Sequence, residues 1–205
     1  MPCTIKASPE SDSLIYHRHA PAPPMPGAKQ EILVLVDEND RELGTETREK
    51  CHLGKGMRHR AYVVFLFNGG RLLLQRRSME KLLWPGFWDV SFTSHVYPGE
   101  TYMSAAKRKG KQELNANVDG LKEVFSFVYW AQFGKYSENE YCKLLVGEFD
   151  GKIDPNPREI MDVKYVTLDE LKKDLKANPG LYTPWLKLAF DGFMKSGASK
   201  PYSSA

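Results

Sequence analysis

The sequence predicts an α/β (α+β) fold in which a mixed, largely antiparallel sheet is sandwiched by helices. Three observations carry this expectation. Short apolar runs of strand length recur between turn-forming clusters. Asn68-Gly69-Gly70 sits between two such runs and is a strong hairpin signal. Two later segments open with helix-start chemistry, Thr167-Leu168-Asp169-Glu170 as a capping box and Thr183-Pro184 as N-cap and first helical position.

Taken in order, Glu31 to Val36 reads as a strand closed by the turn Asp37-Glu38-Asn39-Asp40. Ala61 to Phe67 and Arg71 to Arg76 form the hairpin arms, and a further strand is expected from Trp88 to Thr93. A helix spans Glu100 to Asn115, although Gly110 weakens it by about 1 kcal/mol relative to alanine. Strands follow at Val124 to Ala131, Glu140 to Phe149 and Val163 to Val166. After Thr183-Pro184, Trp185, Leu188 and Ala189 recur at helical spacing.

At 205 residues the chain fits one domain with tails. Six of its 13 prolines fall in the first 27 residues, so residues 1–29 are expected to be a disordered proline-rich segment. His17 and His19 lie in this segment and are read as unremarkable. Residues 30–197 form the expected domain and 198–205 a tail. The 29 basic and 26 acidic residues leave a net charge of +3, too balanced to point to nucleic acid. Cys3, Cys51 and Cys142 have no paired spacing, which fits a reduced, cytoplasmic protein without a disulfide framework. No apolar run approaches the roughly 20 residues of a membrane span, and the N-terminus lacks a signal-peptide core.

One spacing pattern bears on chemistry. His52, His59 and His95 border apolar runs, and Glu138 and Glu140 flank a single residue. On a strand those two carboxylates share a face, as two ligands of one ion must. Imidazole nitrogens with carboxylate oxygens suit Zn²⁺, Mn²⁺ or Mg²⁺. Spacing alone leaves scattered surface or core histidines as the more ordinary reading.

The surrounding motifs shift that balance. Cys51-His52-Leu53, His59-Arg60-Ala61, Phe65-Leu66-Phe67-Asn68 and Leu72-Leu73-Leu74-Gln75-Arg76-Arg77 come first. Trp84-Pro85-Gly86, Ser94-His95, Gly99-Glu100, Gln112-Glu113-Leu114, Glu138-Asn139-Glu140 and Thr183-Pro184-Trp185 follow. Each is weak alone, but their order and spacing over roughly residues 31 to 195 resemble the Nudix superfamily. Within it they are more similar to type I isopentenyl-diphosphate isomerases.

The resemblance implies a Nudix fold and an enzyme of isoprenoid metabolism acting on a prenyl diphosphate. It implies that His52, His59, His95, Glu138 and Glu140 hold a divalent metal, and that Glu113 serves a Mg²⁺ at the substrate diphosphate. Arg48, Arg77, Lys81 and Lys109 match the cations that grip this group, lysine standing for arginine at position 109. A diphosphate is multiply anionic and wants cationic donors with a hard cation. At the hydrocarbon end, Trp185 matches the family's tryptophan beside the carbocation and Tyr129 its active-site tyrosine. Glu140 is the implied acid or base on one face of the substrate.

One position departs from the pattern. The family's second proton-transfer residue is a cysteine, and here Thr93 stands in its place. A threonine hydroxyl is a far weaker acid than a thiol, whose pKa lies near ~8.5. A protonation-initiated cyclase or hydratase and a catalytically silent binding protein therefore stay open beside the isomerase. So does a diphosphate hydrolase, although its signature is eroded. Glu100, Arg108 and Glu113 are kept, while Ser94 and Asn115 replace glycines and Lys109 and Gln112 replace glutamates.

Overall fold

The structure, a computed structural model, describes residues 30–202. The expectations for residues 1–29 lie outside it. Strand β1 (Ile32–Val36) turns back into β2 (Glu42–Thr47) over the expected Asp37–Asp40 turn. The Asp37 carboxylate accepts the backbone N–H groups of Asn39 and Arg41 at 2.8 and 2.9 Å, a side-chain mimic of a backbone turn. β2 and the one-turn helix α1 (Arg48–His52) were not anticipated from sequence. The run Glu-Leu-Gly-Thr-Glu-Thr buries no side chain fully, so it lacks the apolar alternation of a half-buried strand.

β3 (His59–Asn68) and β4 (Arg71–Arg77) are the arms of the Asn-Gly-Gly hairpin. The expected single strand Trp88–Thr93 is instead two short ones, β5 (Trp88–Asp89) and β6 (Phe92–His95). α2 runs from Tyr102 to Leu114, β7 from Lys122 to Phe133 and β8 from Tyr136 to Glu148. β9 (Ile160–Val166), α3 (Leu168–Ala177) and α4 (Pro184–Ser196) complete the order. Among the described residues, nine strands build one mixed sheet.

β3 is its axis. It runs parallel to β8 from His59↔Glu140 to Phe67↔Glu148 and antiparallel to β6 from Ala61↔His95 to Val64↔Phe92. Because successive strand residues face opposite ways, β3 feeds two cores. Ala61, Val63, Phe65 and Phe67 pack with Leu144, Trp185 and Phe193 under α3 and α4. Tyr62, Val64 and Leu66 pack with Ala105 and Ala106 of α2, and with Leu145 and Ile160. Burial on both faces explains why β3 reads as a continuous apolar run rather than an alternating one.

Gly110 belongs to this packing. A side chain there would lie 3.0 Å from Val118 Cγ2 and 3.5 Å from Phe92 Cζ, so its absence lets α2 lie close on the sheet. α2 ends on Asn115 with φ 51, the left-handed cap that asparagine tolerates in a glycine's place. At the C-terminus, residues expected as a tail remain packed through Tyr202. Its ring stacks on Phe67 at 3.8 Å.

β3 and β4 touch only at Phe67↔Leu72 and Asn68↔Arg71, then diverge toward β6 and β5. Ser91, fully buried between β5 and β6, bridges the gap. Its hydroxyl accepts from the Leu66 N–H at 2.8 Å and donates to the Leu73 carbonyl at 2.6 Å. Ser91→Ala strands a donor on one strand and an acceptor on the other. Each orphaned buried group costs about 1–3 kcal/mol, so the variant is expected to lose at least about 2 kcal/mol in urea denaturation. A loss below about 0.5 kcal/mol would remove this role from Ser91.

Candidate active site

Four elements deliver the histidines and carboxylates to one place. α1 ends on His52, β3 begins on His59, β6 ends on His95, and β8 carries Glu138 and Glu140 on one face. The three imidazole rings form a triangle with centroids 4.8 to 5.0 Å apart. One ligand atom from each of His52, His59, His95 and Glu138 lies within 4.8 Å of the others. Glu140 Oε1 joins them at 3.4 Å from His95 Nε2 and 3.5 Å from His59 Nε2. All five side chains are buried or nearly so.

The hydrogen bonds orient these rings for a cation. His52 Nδ1 lies 2.7 Å from the Arg48 carbonyl and His59 Nδ1 2.8 Å from the Met57 carbonyl. Each Nδ1–H therefore donates to backbone, and each Nε2 lone pair faces the cluster. His52 Nε2, His59 Nε2 and Glu138 Oε2 are buried without a hydrogen-bond partner, although His52 Nε2 and Glu138 Oε2 approach to 3.0 Å. Buried polar atoms left in this state cost free energy unless something satisfies them. Converging orphaned donors of nitrogen and carboxylate type fit a divalent metal. Opposite ligands of a six-coordinate ion stand about 4 Å apart, within the observed spread.

Protonation follows the same logic. Burial pushes His95 well below the ordinary imidazole range, against the pull of the Glu140 carboxylate. Burial opposes the charge on Glu140, but the imidazole rings facing its Oε1 outweigh burial and hold the carboxyl low. Burial likewise opposes the His52 imidazolium, and the Glu138 carboxylate beside its ring outweighs burial and raises it.

Beyond the cluster, Tyr129 lies directly across from Glu140 in the β7–β8 ladder. Its hydroxyl donates to Glu140 Oε2 at 2.6 Å. Burial and the Glu140 charge push this phenol well above its usual range, so it stays protonated. The Trp185 ring stands 6.3 Å from Tyr129 and 5.1 Å edge-on to Trp84. Trp84 has φ 46, a left-handed backbone that bulky residues rarely adopt. Thr93 pairs with Val63 and lies on the same face of β6 as His95, and its hydroxyl donates to the Tyr62 carbonyl at 2.8 Å.

The cations divide. Lys81 and Lys109 come together around buried Glu113, at 2.9 and 3.0 Å. Gln75 also donates to Glu113 at 3.3 Å. Glu159, which no sequence motif marked, completes the cluster by pairing with Lys81 and, at 3.7 Å, with Lys109. Burial works against its charge, but both ammonium groups overcome it and hold its pKa down to about 2. Arg48 stands elsewhere, half-exposed and paired with Glu31 at 3.4 Å, and serves the histidine cluster through its carbonyl.

Arg77 also differs from expectation. It is buried, bonded to Asp89 Oδ2 at 2.9 Å and to the carbonyls of Leu83 and Trp84. An arginine beside Trp-Pro-Gly looks like an anion clamp in sequence, and a buried acidic partner twelve residues away is invisible to local pattern. Glu100 and Arg108, kept from the hydrolase signature, form a two-bond ion pair at 2.6 and 2.9 Å. Arg108 also donates to the His95 carbonyl at 3.2 Å, steadying the backbone that carries this ring.

Comparison with known proteins adds the family. The NUDIX domain model matches residues 57–186. The chain is 36% identical to isopentenyl-diphosphate Delta-isomerase 2 of Aromatoleum aromaticum, over 79% of this chain and 86% of that protein. It is 38% identical to isopentenyl-diphosphate Delta-isomerase 2 of Photorhabdus laumondii, over 79% and 92% respectively. The chloroplastic isopentenyl-diphosphate Delta-isomerase 1 of Cannabis sativa is 37% identical over 78% of this chain and 65% of its own. Among solved structures, DR0079 from Deinococcus radiodurans superposes with a TM-score of 0.64 at 26% identity, over 78% of this chain and 97% of that one. The MutT protein of Methanosarcina mazei, at TM-score 0.56 and 18% identity over 68% and 95%, shares the fold. With this fold and these relatives, the chain belongs to the Nudix superfamily and, within it, to the type I isopentenyl-diphosphate Delta-isomerase family.

Proposed function

We propose that this protein is a metal-dependent isomerase of the isopentenyl-diphosphate Delta-isomerase type, acting on a prenyl diphosphate through alkene protonation. The observation that carries the reading is the placement of Glu140. One carboxylate oxygen faces His59 and His95 while the other accepts from Tyr129, beside the Trp185 ring. His52, His59, His95, Glu138 and Glu140 would hold the metal. When bound, a divalent ion lowers the proton affinity of its carboxylate and fixes its position.

The residues divide the labour of a homoallylic shift. A proton added to the terminal alkene carbon leaves a tertiary carbocation. Loss of a proton from the carbon next to CH₂O then restores a double bond one position over. Glu140 handles the proton on its face, and the Tyr129 hydroxyl holds the carboxylate in line. Trp185, nearly buried, offers a π face to the cation and excludes water that would trap it. Lys81 and Lys109 supply the cations for the diphosphate, with Glu113 and Glu159 available to a Mg²⁺ that accompanies it. Thr93 would be the second proton-transfer position by the family pattern, and its weakly acidic hydroxyl is spent on the Tyr62 carbonyl. Among the described residues, no helix is long and apolar enough to cross a membrane.

The decisive assay is NMR of isopentenyl diphosphate with Mg²⁺ and the protein in D₂O. Deuterated dimethylallyl diphosphate is expected. A ring, an added water or released pyrophosphate would replace the isomerase reading. Glu140→Gln is expected to lower kcat about 10³-fold with the fold intact by circular dichroism. Unchanged turnover would remove Glu140 as the acid or base. Thr93→Cys restores a readily ionised group and is expected to raise kcat at least about tenfold, and a fall would argue that the hydroxyl itself is used. Metal titration followed by elemental analysis tests the cluster separately. His59→Ala is expected to weaken divalent-metal affinity at least about tenfold, and a stoichiometry unchanged from wild type would displace the metal to another site.

A further inference from the structure

Asp89 is a fully buried carboxylate that no part of the proposed reaction uses. Three donors converge on its Oδ1: the Trp185 indole N–H at 2.5 Å, the Thr183 hydroxyl at 3.0 Å and the Val90 N–H at 2.8 Å. Arg77 Nη1 donates to Oδ2 at 2.9 Å. Burial pushes the Asp89 carboxyl up, and the Arg77 charge draws it back. The indole, the amide and the guanidinium are donors only, so the geometry suits the carboxylate and leaves little place for a proton.

The arrangement joins two charges to one ring. The Arg77 guanidinium carbon lies 5.2 Å from the Trp185 ring centroid. Alone, that cation would compete for the π density that a substrate carbocation needs. Asp89 neutralises it at contact distance. A carboxylate hydrogen-bonded to an indole N–H also pushes electron density into the ring, and in a dry interior this polarisation is strong. Thr183 and Pro184 start α4 and Trp185 follows directly in its first turn, so the Thr183 hydroxyl ties the helix start to the same oxygen.

We infer that Asp89 is a positioning residue which orients and electronically enriches Trp185 for a carbocation, with Arg77 as its counter-ion. The inference rests on the isomerase reading and adds to it the group that prepares the aromatic wall.

The test compares two isosteric ligands on the full-length, metal-loaded protein. One is 2-(dimethylammonio)ethyl diphosphate, which carries a positive nitrogen where the carbocation forms. The other is isopentyl diphosphate, which is neutral there. Wild type is expected to prefer the ammonium ligand. Asp89→Asn, which keeps the shape and removes the charge, is expected to cut that preference about tenfold while isopentyl diphosphate binds within about twofold of wild type. The Trp185 indole N–H resonance, assigned by its loss in Trp185→Phe, is expected to move upfield in the same variant.

A preference kept in Asp89→Asn, equal weakening of both ligands, or an unmoved indole resonance would each overturn the role of Asp89. A wild type that prefers neither ligand would overturn the carbocation pocket itself, and so the functional reading. If Asp89→Asn fails to fold because Arg77 is left unpaired, Arg77→Gln/Asp89→Asn removes both charges together. A smaller loss of preference is then expected, because the competing cation is removed as well, and a preference equal to that of wild type would count against the inference.

Discussion

His59 faces Glu140 across the parallel β3–β8 ladder, and the chemistry of the molecule hangs on that register. A slip of one residue would turn Glu138 and Glu140 to the opposite face and replace both with Asn139 and Tyr141. The same ladder sets Tyr129 opposite Glu140 through β7, and β6 brings His95 beside Ala61. Burial on both faces of β3 enforces the register, because any shift would exchange side chains of unlike size between two closely packed cores. The cores thus specify a polar site that contributes little to their own packing.

Charge is organised into closed groups around this frame. Arg77 answers Asp89, Lys81 and Lys109 answer Glu113 and Glu159, and Arg108 answers Glu100. The histidine cluster differs in kind. Three of its nitrogen and oxygen atoms are buried without a hydrogen-bond partner, and the set could hold a divalent cation. The lysine–glutamate cluster is instead balanced within itself, each ammonium meeting both carboxylates.

The elements with strong local signals were legible in the sequence. The Asn-Gly-Gly hairpin, the capping box at Thr167 and the strand pair around Glu138 and Glu140 each state their geometry in adjacent residues. β2 and α1 were not, since β2 buries no side chain fully and α1 is a single turn that buries only Cys51 and His52. Thr183 shows how a correct boundary can have another cause: it opens α4, yet its hydroxyl bonds Asp89 rather than capping the helix. The histidine and glutamate cluster could be gathered because family pattern supplied the long-range pairing that spacing lacks. Asp89 and Glu159 could not, because a single acid on a strand or in a loop gives no local sign of the cation it will meet.

Trp84 places a bulky indole on a left-handed backbone, held there by the Arg77 bond to its carbonyl and by its edge-on contact with Trp185. Such a conformation costs roughly 1–3 kcal/mol. Glycine would sit there without complaint, yet it would also delete the edge-on contact with Trp185. A redesign for stability alone would therefore relax the backbone at this position and leave the Trp185 ring without its neighbour.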